Sequence, residues 1–243
     1  MSTLKSNTIE PATGTELTLG ASGDTMDVLS DALQVNTWKD SGGNTLFTSD
    51  GAGTLSSVNS ALDIGGGPTL ISTATASTSA SLSFTTGIDD TYDKYMFVVV
   101  NVQPTTDSAH FQFQVSTNGG TSYGVPITST NFCATHSEAG TNGRIEYVTA
   151  GDLAQSTSYQ PLGMYVGNDT DECMSGELFI VNPAGTTFIK QFYGVFNNYT
   201  SSIYTRNPYV AGYVNSVSRV SAIDFKFSTG NIAAGKVKMY GCR

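Results

Sequence analysis

Phe111-Gln-Phe-Gln-Val115 decides the fold class of this 243-residue chain. Large apolar side chains at 111, 113 and 115 alternate with amides at 112 and 114. That period of two sets one row of side chains on each face of a sheet. The same beat recurs in both directions. Thr69–Ala74 and Ala80-Ser-Leu-Ser-Phe84 come before it. Arg144–Val148, Leu162–Val166, Leu178–Val181, Phe188–Phe196 and Tyr209–Val214 come after, and Ile223-Asp-Phe-Lys-Phe227 and Val237-Lys-Met239 end the series. Lys94-Tyr-Met-Phe-Val-Val-Val100 is apolar at successive positions and predicts a central strand covered on both faces. Asn118-Gly-Gly, Asn142-Gly, Asn182-Pro-Ala-Gly and Thr229-Gly-Asn supply turns. No stretch keeps helical spacing over three turns. Roughly ten evenly spaced strands predict an all-β chain whose residues 68–243 form a jelly-roll-like β-sandwich. The aromatic content of 10% suits the inner faces of two stacked sheets.

Residues 1–67 read differently. Ser, Thr, Gly, Asn and Asp dominate, with single apolar residues at short intervals. A Gly-containing turn and a short strand recur three times, at Ser22–Val28, Ser41–Asp50 and Gly51–Val58, and Ala32-Leu-Gln-Val-Asn-Thr-Trp38 lies between them. Repeats this short bury nothing alone. Ordering costs about 1–2 kcal/mol per residue, so the segment is expected to be an extended, repeat-like β segment that orders only in a homotrimer. Leu33, Val35, Trp38, Leu46 and Val58 are its expected shared core. A disordered tail is the competing reading. Gly65-Gly-Gly-Pro68 marks the boundary.

Composition narrows the function. Charged residues are 13% of the chain, against roughly 25% in an average domain. The net charge of -9 argues against a nucleic-acid partner. No run of 18 apolar residues exists to span a membrane, and the start lacks an apolar signal region, which predicts synthesis in the cytoplasm. Cys133, Cys173 and Cys242 are too few and too far apart for a disulfide framework or a zinc site. They read as free thiols, with Cys242 placed to be exposed. Asp89-Asp-x-x-Asp93 and Asp169-Thr-Asp-Glu172 could offer oxygens to Ca²⁺ but lack the EF-hand spacing, and read as solvated turns. His110 and His136 are the only histidines, and no nucleophile elbow, H-E-x-x-H or P-loop is present. No enzyme and no cofactor is expected.

Gln191 to Tyr209 is the stretch richest in recognition chemistry. It reads as a strand passing into a loop from Asn197 to Pro208. Tyr199 and Tyr204 would anchor a sugar or surface protein there, with Asn198 and Arg206 supplying hydrogen bonds. The competing reading has these tyrosines lining the core or a subunit interface.

Three stretches carry a family resemblance: Ser2-Thr-Leu-Lys-Ser-Asn-Thr-Ile-Glu-Pro-Ala-Thr-Gly14, Gly43 to Val58, and Ile223 to Ile232 with Gly235 to Gly241. Together they resemble tailed-phage virion proteins, especially those of marine and cyanobacterial phages. The resemblance implies a trimeric tail-fibre-like appendage, fastened to other virion proteins by its N-terminus, with a C-terminal β-sandwich facing a host-surface glycan or protein. A capsid decoration or head-fibre protein that stabilises the shell is the close alternative. A free carbohydrate-binding module is the alternative from another class.

Overall fold

The computed structural model describes residues 37–40, 42–52, 55–58 and 67–242. Leu33, Val35 and the first of the three repeats lie outside the described residues. The chain divides into two units, Met1–Ile64 and Gly65–Arg243.

In the first unit, β1 (Thr37–Lys39), β2 (Thr45–Ser49) and β3 (Leu55–Val58) form one antiparallel sheet in that order. The β1–β2 turn is set by Asp40, whose carboxylate accepts from the Gly42 and Asn44 amides at 2.9 and 2.8 Å. Trp38 pairs with Phe47, and Phe47 with Val58, so the three share a face. The Trp38 and Phe47 ring centres are 5.7 Å apart. Trp38 and Val58 are exposed. Leu46, expected among the shared apolar residues, points to the opposite face because side chains alternate along β2. Phe47 takes its place in the row.

The second unit begins with β4 (Thr69–Thr75), β5 (Leu82–Phe84), β6 (Lys94–Pro104), β7 (Ala109–Ser116), β8 (Ile127–Ser137) and β9 (Gly143–Tyr147). It continues with β10 (Gln160–Val166), β11 (Met174–Val181), β12 (Lys190–Tyr199), β13 (Tyr204–Val214), β14 (Ala222–Phe227) and β15 (Ile232–Cys242). They form a small sheet, β10-β7-β14-β5, and a large one, β4-β15-β6-β11-β12-β13-β8-β9. Set aside the hairpins β8–β9 and β12–β13, and the remaining strands nest. The first pairs with the last, β4 with β15; then β5 pairs with β14, β6 with β11, and β7 with β10. That nesting is a jelly roll. The two hairpins are insertions that extend the large sheet beyond β11.

The core lies between the sheets. Phe225 on β14 is 5.6 Å from Phe97 on β6 and 5.9 Å from Phe111 on β7. Phe113 crosses the gap to Phe192 on β12 at 5.2 Å. Along β6 the inner residues Tyr95, Phe97 and Val99 are fully buried, while Met96, Val98 and Val100 are only half-buried. The double cover expected for this strand is absent within the second unit, where among the described residues no further layer packs on the outer face of the large sheet. Farther along that face, stacked rings stand exposed: Phe132 on Tyr209 at 4.9 Å, and Phe179 on the exposed Tyr193 at 5.0 Å.

Register defines two ends. Thr69 lies opposite Gly241, and Lys94 opposite Val181, at the end where the chain enters the sandwich. Lys190, Val214 and Ile127 continue that edge. At the other end Val102 is opposite Met174, Met174 opposite Asn198, and Tyr204 opposite Ser137. All three cysteines are free, and Cys242 is buried as the last residue of β15 instead of exposed. Among the described residues no helix is long and apolar enough to cross a membrane.

Candidate functional site: a recess at the far end of the sandwich

The site arises from a mismatch in width. The large sheet has eight strands and the small one four, so the inner face of the inserted hairpins runs out from under the small sheet. Only its edge strand β10 and the turn at Thr149–Gly151 reach over it. Gly163 lets β10 press close, since a Cβ there would collide with the Met174 sulfur. Toward the far end the inner row of the extension turns polar: past Ile127, Phe192, Phe196, Val210 and Val214 come Asn131, Thr135 and Ser137 on β8, Asn198 on β12, and Arg206 on β13.

At the far end this surface forms a recess of about 320 Å³, lined by Thr135, Arg144, Tyr165, Thr200, Ser202, Tyr204 and Arg206. Glu146 on β9 links its two cations. Arg144 donates to the Glu146 carboxylate at 2.8 Å through Nε and at 3.3 Å through Nη2. The Arg206 Nη1 is 3.6 Å from Glu146 Oε1. The Arg144 hydrogen bond holds the Glu146 carboxyl below the usual carboxylate range. The Arg206 guanidinium also lies 5.4 Å from the centre of the Tyr165 ring. The other neighbour of that ring is His110, edge-on at 5.0 Å. Burial, and then the charge of Arg206, push the His110 imidazole below its ordinary value.

Two residues around the recess hold left-handed backbone. Tyr165 has φ 61° and Ile203 φ 64°. Such geometry in a β-branched residue is an outlier, and strain of this kind clusters at ligand sites. Ile203 ends the four-residue turn, 200–203, between β12 and β13, which is tied by Thr200: its hydroxyl accepts from Tyr204 N at 3.2 Å, and its carbonyl from Ile203 N at 2.9 Å.

The residues singled out by sequence separate. Tyr204 and Arg206 line the recess. Tyr199 faces the other side of the hairpin, in a second hollow of about 350 Å³ with His136, Glu138, Asn197 and Thr205. There its hydroxyl donates to Glu138 at 3.0 Å. Asn198 is 1% exposed and its amide donates to the Met164 carbonyl at 3.2 Å. It braces the hairpin against β10 and presents nothing outward. The expected loop from Asn197 to Pro208 is mostly strand, with only residues 200–203 outside β12 and β13. Arg144, Glu146, Thr135 and Tyr165 were not anticipated; they come from strands far from Arg206 in sequence, and no local pattern joins them.

The acidic turns are occupied with their own backbone. Asp89 accepts from Thr91 N at 2.9 Å and Tyr95 OH at 3.0 Å, and Glu172 accepts from Asp169 N at 2.8 Å. Among the described residues no group of three His, Cys, Asp or Glu side chains is gathered to hold a metal. No family model, curated protein or solved structure matches the chain.

Proposed function

We propose that the chain is a non-enzymatic, trimeric appendage of a tailed-phage particle, its residues 1–67 fastening it to other virion proteins and its jelly roll turned outward for contact with the host surface. One observation carries the reading: the sandwich has a polarity. The chain enters at one end, and the strained hairpin tip with a recess on either flank lies at the other. The groups gathered there are guanidiniums, hydroxyls, amides and tyrosine rings, which suit recognition of a sugar or a protein surface. Self-association is supported by the single-layer sheet of the first unit. Among the described residues its Trp38, Phe47 and Val58 row has no second layer over it, and one sheet without cover is poorly stable.

Replacing Tyr199 and Tyr204 together by alanine tests the contact. Attachment to host cells should weaken about tenfold or more, as for aromatic anchors, with little change in melting temperature. A double mutant that attaches normally and melts several degrees lower would place both rings in a packing role. Light scattering on the full chain should give three times the 25.5 kDa protomer mass. A monomer with a protease-resistant N-terminus would end the trimer reading. Cutting at Gly65–Gly67 should leave 69–243 folded, since a domain near that size buries close to roughly 70% of its chain surface.

The aromatic outer face of the large sheet favours a second reading, capsid decoration, in which that flat surface lies against the shell. Copy number per particle separates the two: tens for a fibre, hundreds for a decoration protein.

A further inference from the structure

Arg206 brings a nearly buried cation to the recess. It is 9% exposed. A guanidinium carries five donors and no acceptor, and a buried polar group without partners is costly. Its partners are the Glu146 carboxylate at 3.6 Å, beyond hydrogen-bond reach, the Cys133 thiol, and the face of Tyr165 at 5.4 Å. Its remaining donors are left to the recess that it lines. The Thr135 hydroxyl, from another residue of the lining, is buried with no hydrogen-bond partner.

The charge balance defines what would complete the recess. Arg144 and Arg206 face one carboxylate, Glu146. Glu146 is ionised at neutral pH, because its carboxyl is held below the usual range. His110 is neutral there, because burial lowers its affinity for a proton. One positive charge is left over in a chain whose net charge is -9. A monoanion cancels it. A phosphate dianion would leave an excess negative charge, partly buried, in an already acidic protein. The planar fork of Arg also matches a carboxylate in two parallel hydrogen bonds. Around the cations stand the hydroxyls of Thr200, Ser202 and Tyr204 and the exposed ring of Tyr165. That is the lining expected for a polyhydroxylated ring. The volume of about 320 Å³ is at the small end for ligand pockets, roughly 300–1,000 Å³, which suits one sugar residue.

We propose that this recess binds a carboxylate-bearing sugar, a uronate, with Arg144 and Arg206 on the carboxylate and Tyr165 and Tyr204 beside the ring. This names a ligand class for the outward contact and rests on that reading.

Saturation-transfer NMR on the full chain tests it, with glucuronate, glucose and glucose 6-phosphate as probes. Glucuronate should give transfer that weakens as salt rises, glucose at least tenfold less, and glucose 6-phosphate less than glucuronate. Arg144→Gln keeps the fold, because that side chain is 55% exposed, and should cut the glucuronate signal about tenfold. Arg206→Lys keeps the charge, loses the fork, and should cut it too, with a melting curve as control. No transfer from glucuronate, equal transfer from glucose, a stronger signal from the phosphate sugar, or an unchanged signal in Arg144→Gln each overturns the proposal. Glucuronate binding that depends on Arg144, alongside undiminished cell attachment by Arg144→Gln, would leave the recess assigned and remove the attachment reading.

Discussion

The inner face of the large sheet is two surfaces that obey different rules. On β15, β6 and β11 it meets the small sheet and is built from Val237, Met239, Tyr95, Phe97, Val99, Leu178 and Ile180, all buried. On β13, β8 and β9 the same alternation keeps Ile127, Cys133, Val210 and Val214 but also presents Arg206, Asn131, Thr135, Ser137 and Glu146. Backbone geometry is continuous across the boundary. What changes is the cover. Where a second sheet lies opposite, every inner residue can be apolar and lose its water without penalty. Where only the edge of β10 reaches over, polar residues enter the row, and among the described residues three of the four buried side-chain polar atoms without a partner are here: Asn131 Oδ1, Thr135 Oγ1 and Asn198 Oδ1. The covered half sets stability, and the overhanging half is free to carry recognition.

The sharpest way to break this comparison is Phe225→Ala. That ring meets Phe84, Phe111 and Phe113 on the neighbouring strands of its own sheet and Phe97 across the sandwich, so its loss should cost about 3–5 kcal/mol. Chemical denaturation of the 69–243 fragment reads it directly. A loss under about 1 kcal/mol would mean that the covered half is not the stabilising one.

On the overhang the expected sign reverses. Thr135→Val keeps the shape and removes a buried hydroxyl that has no partner, so a gain of about 1 kcal/mol is expected, or roughly 2–4 °C in a domain of this size. If the valine variant is less stable, the hydroxyl is satisfied in solution and the two faces are less different than they look.

The pH dependence separates the halves as well. Tyr95 is buried under the small sheet, and burial pushes its phenol up to about 12. In the unfolded chain it titrates near about 10. The folded state therefore holds this proton more tightly. The associated stability is complete below about pH 10 and is lost as pH rises toward about 12. Glu146 on the overhang is shifted the other way. Its contribution is present above the unfolded glutamate value of about 4.3, is lost as pH falls through the lower folded value, and is small because the Arg144 pair is exposed. Melting curves of Tyr95→Phe should show a shallower alkaline decline than the parent between pH 10 and 12; parallel declines would remove Tyr95 as a cause.

The same division explains what the sequence made legible. Phe111, Phe113, Phe225 and Phe227 announce their strands because a covered face selects large apolar residues every second position. β8 announces nothing. After Ile127 its inner row is Ser129, Asn131, Cys133, Thr135 and Ser137, and its outer row mixes threonine with Phe132, Ala134 and His136. Hydrophobic period can be read only where a second layer imposes it. The first half of β13 was read as loop for that reason, through Arg206, Asn207 and Pro208. In the first unit Leu46 and Phe47 are adjacent and both apolar, so the pattern alone did not settle which faces Trp38. Of the recess, Tyr204 and Arg206 were visible as unusual residues in a polar stretch. Arg144, Glu146 and Tyr165 were not, because strand pairing and the crossing of β10 bring them there, and neither is written locally.

The smallest expected effect lies in the turns. The β14–β15 turn takes left-handed backbone at Gly230, φ 69°, where no side chain resists it. The β12–β13 turn asks the same of Ile203, φ 64°, at a left-handed hairpin position that glycine or asparagine normally fills. Ile203 is exposed, so the isoleucine gains little burial for its strain. Ile203→Asn should raise stability by about 0.5–1 kcal/mol, the part of the left-handed penalty that asparagine escapes. Refolding equilibria resolve a change of that size when parent and variant share one slope. A neutral or destabilising result would mean that the Ile203 side chain is held by contacts at the tip worth as much as the strain. A stabilised variant that also attaches less well to cells would show the tip to be strained for recognition.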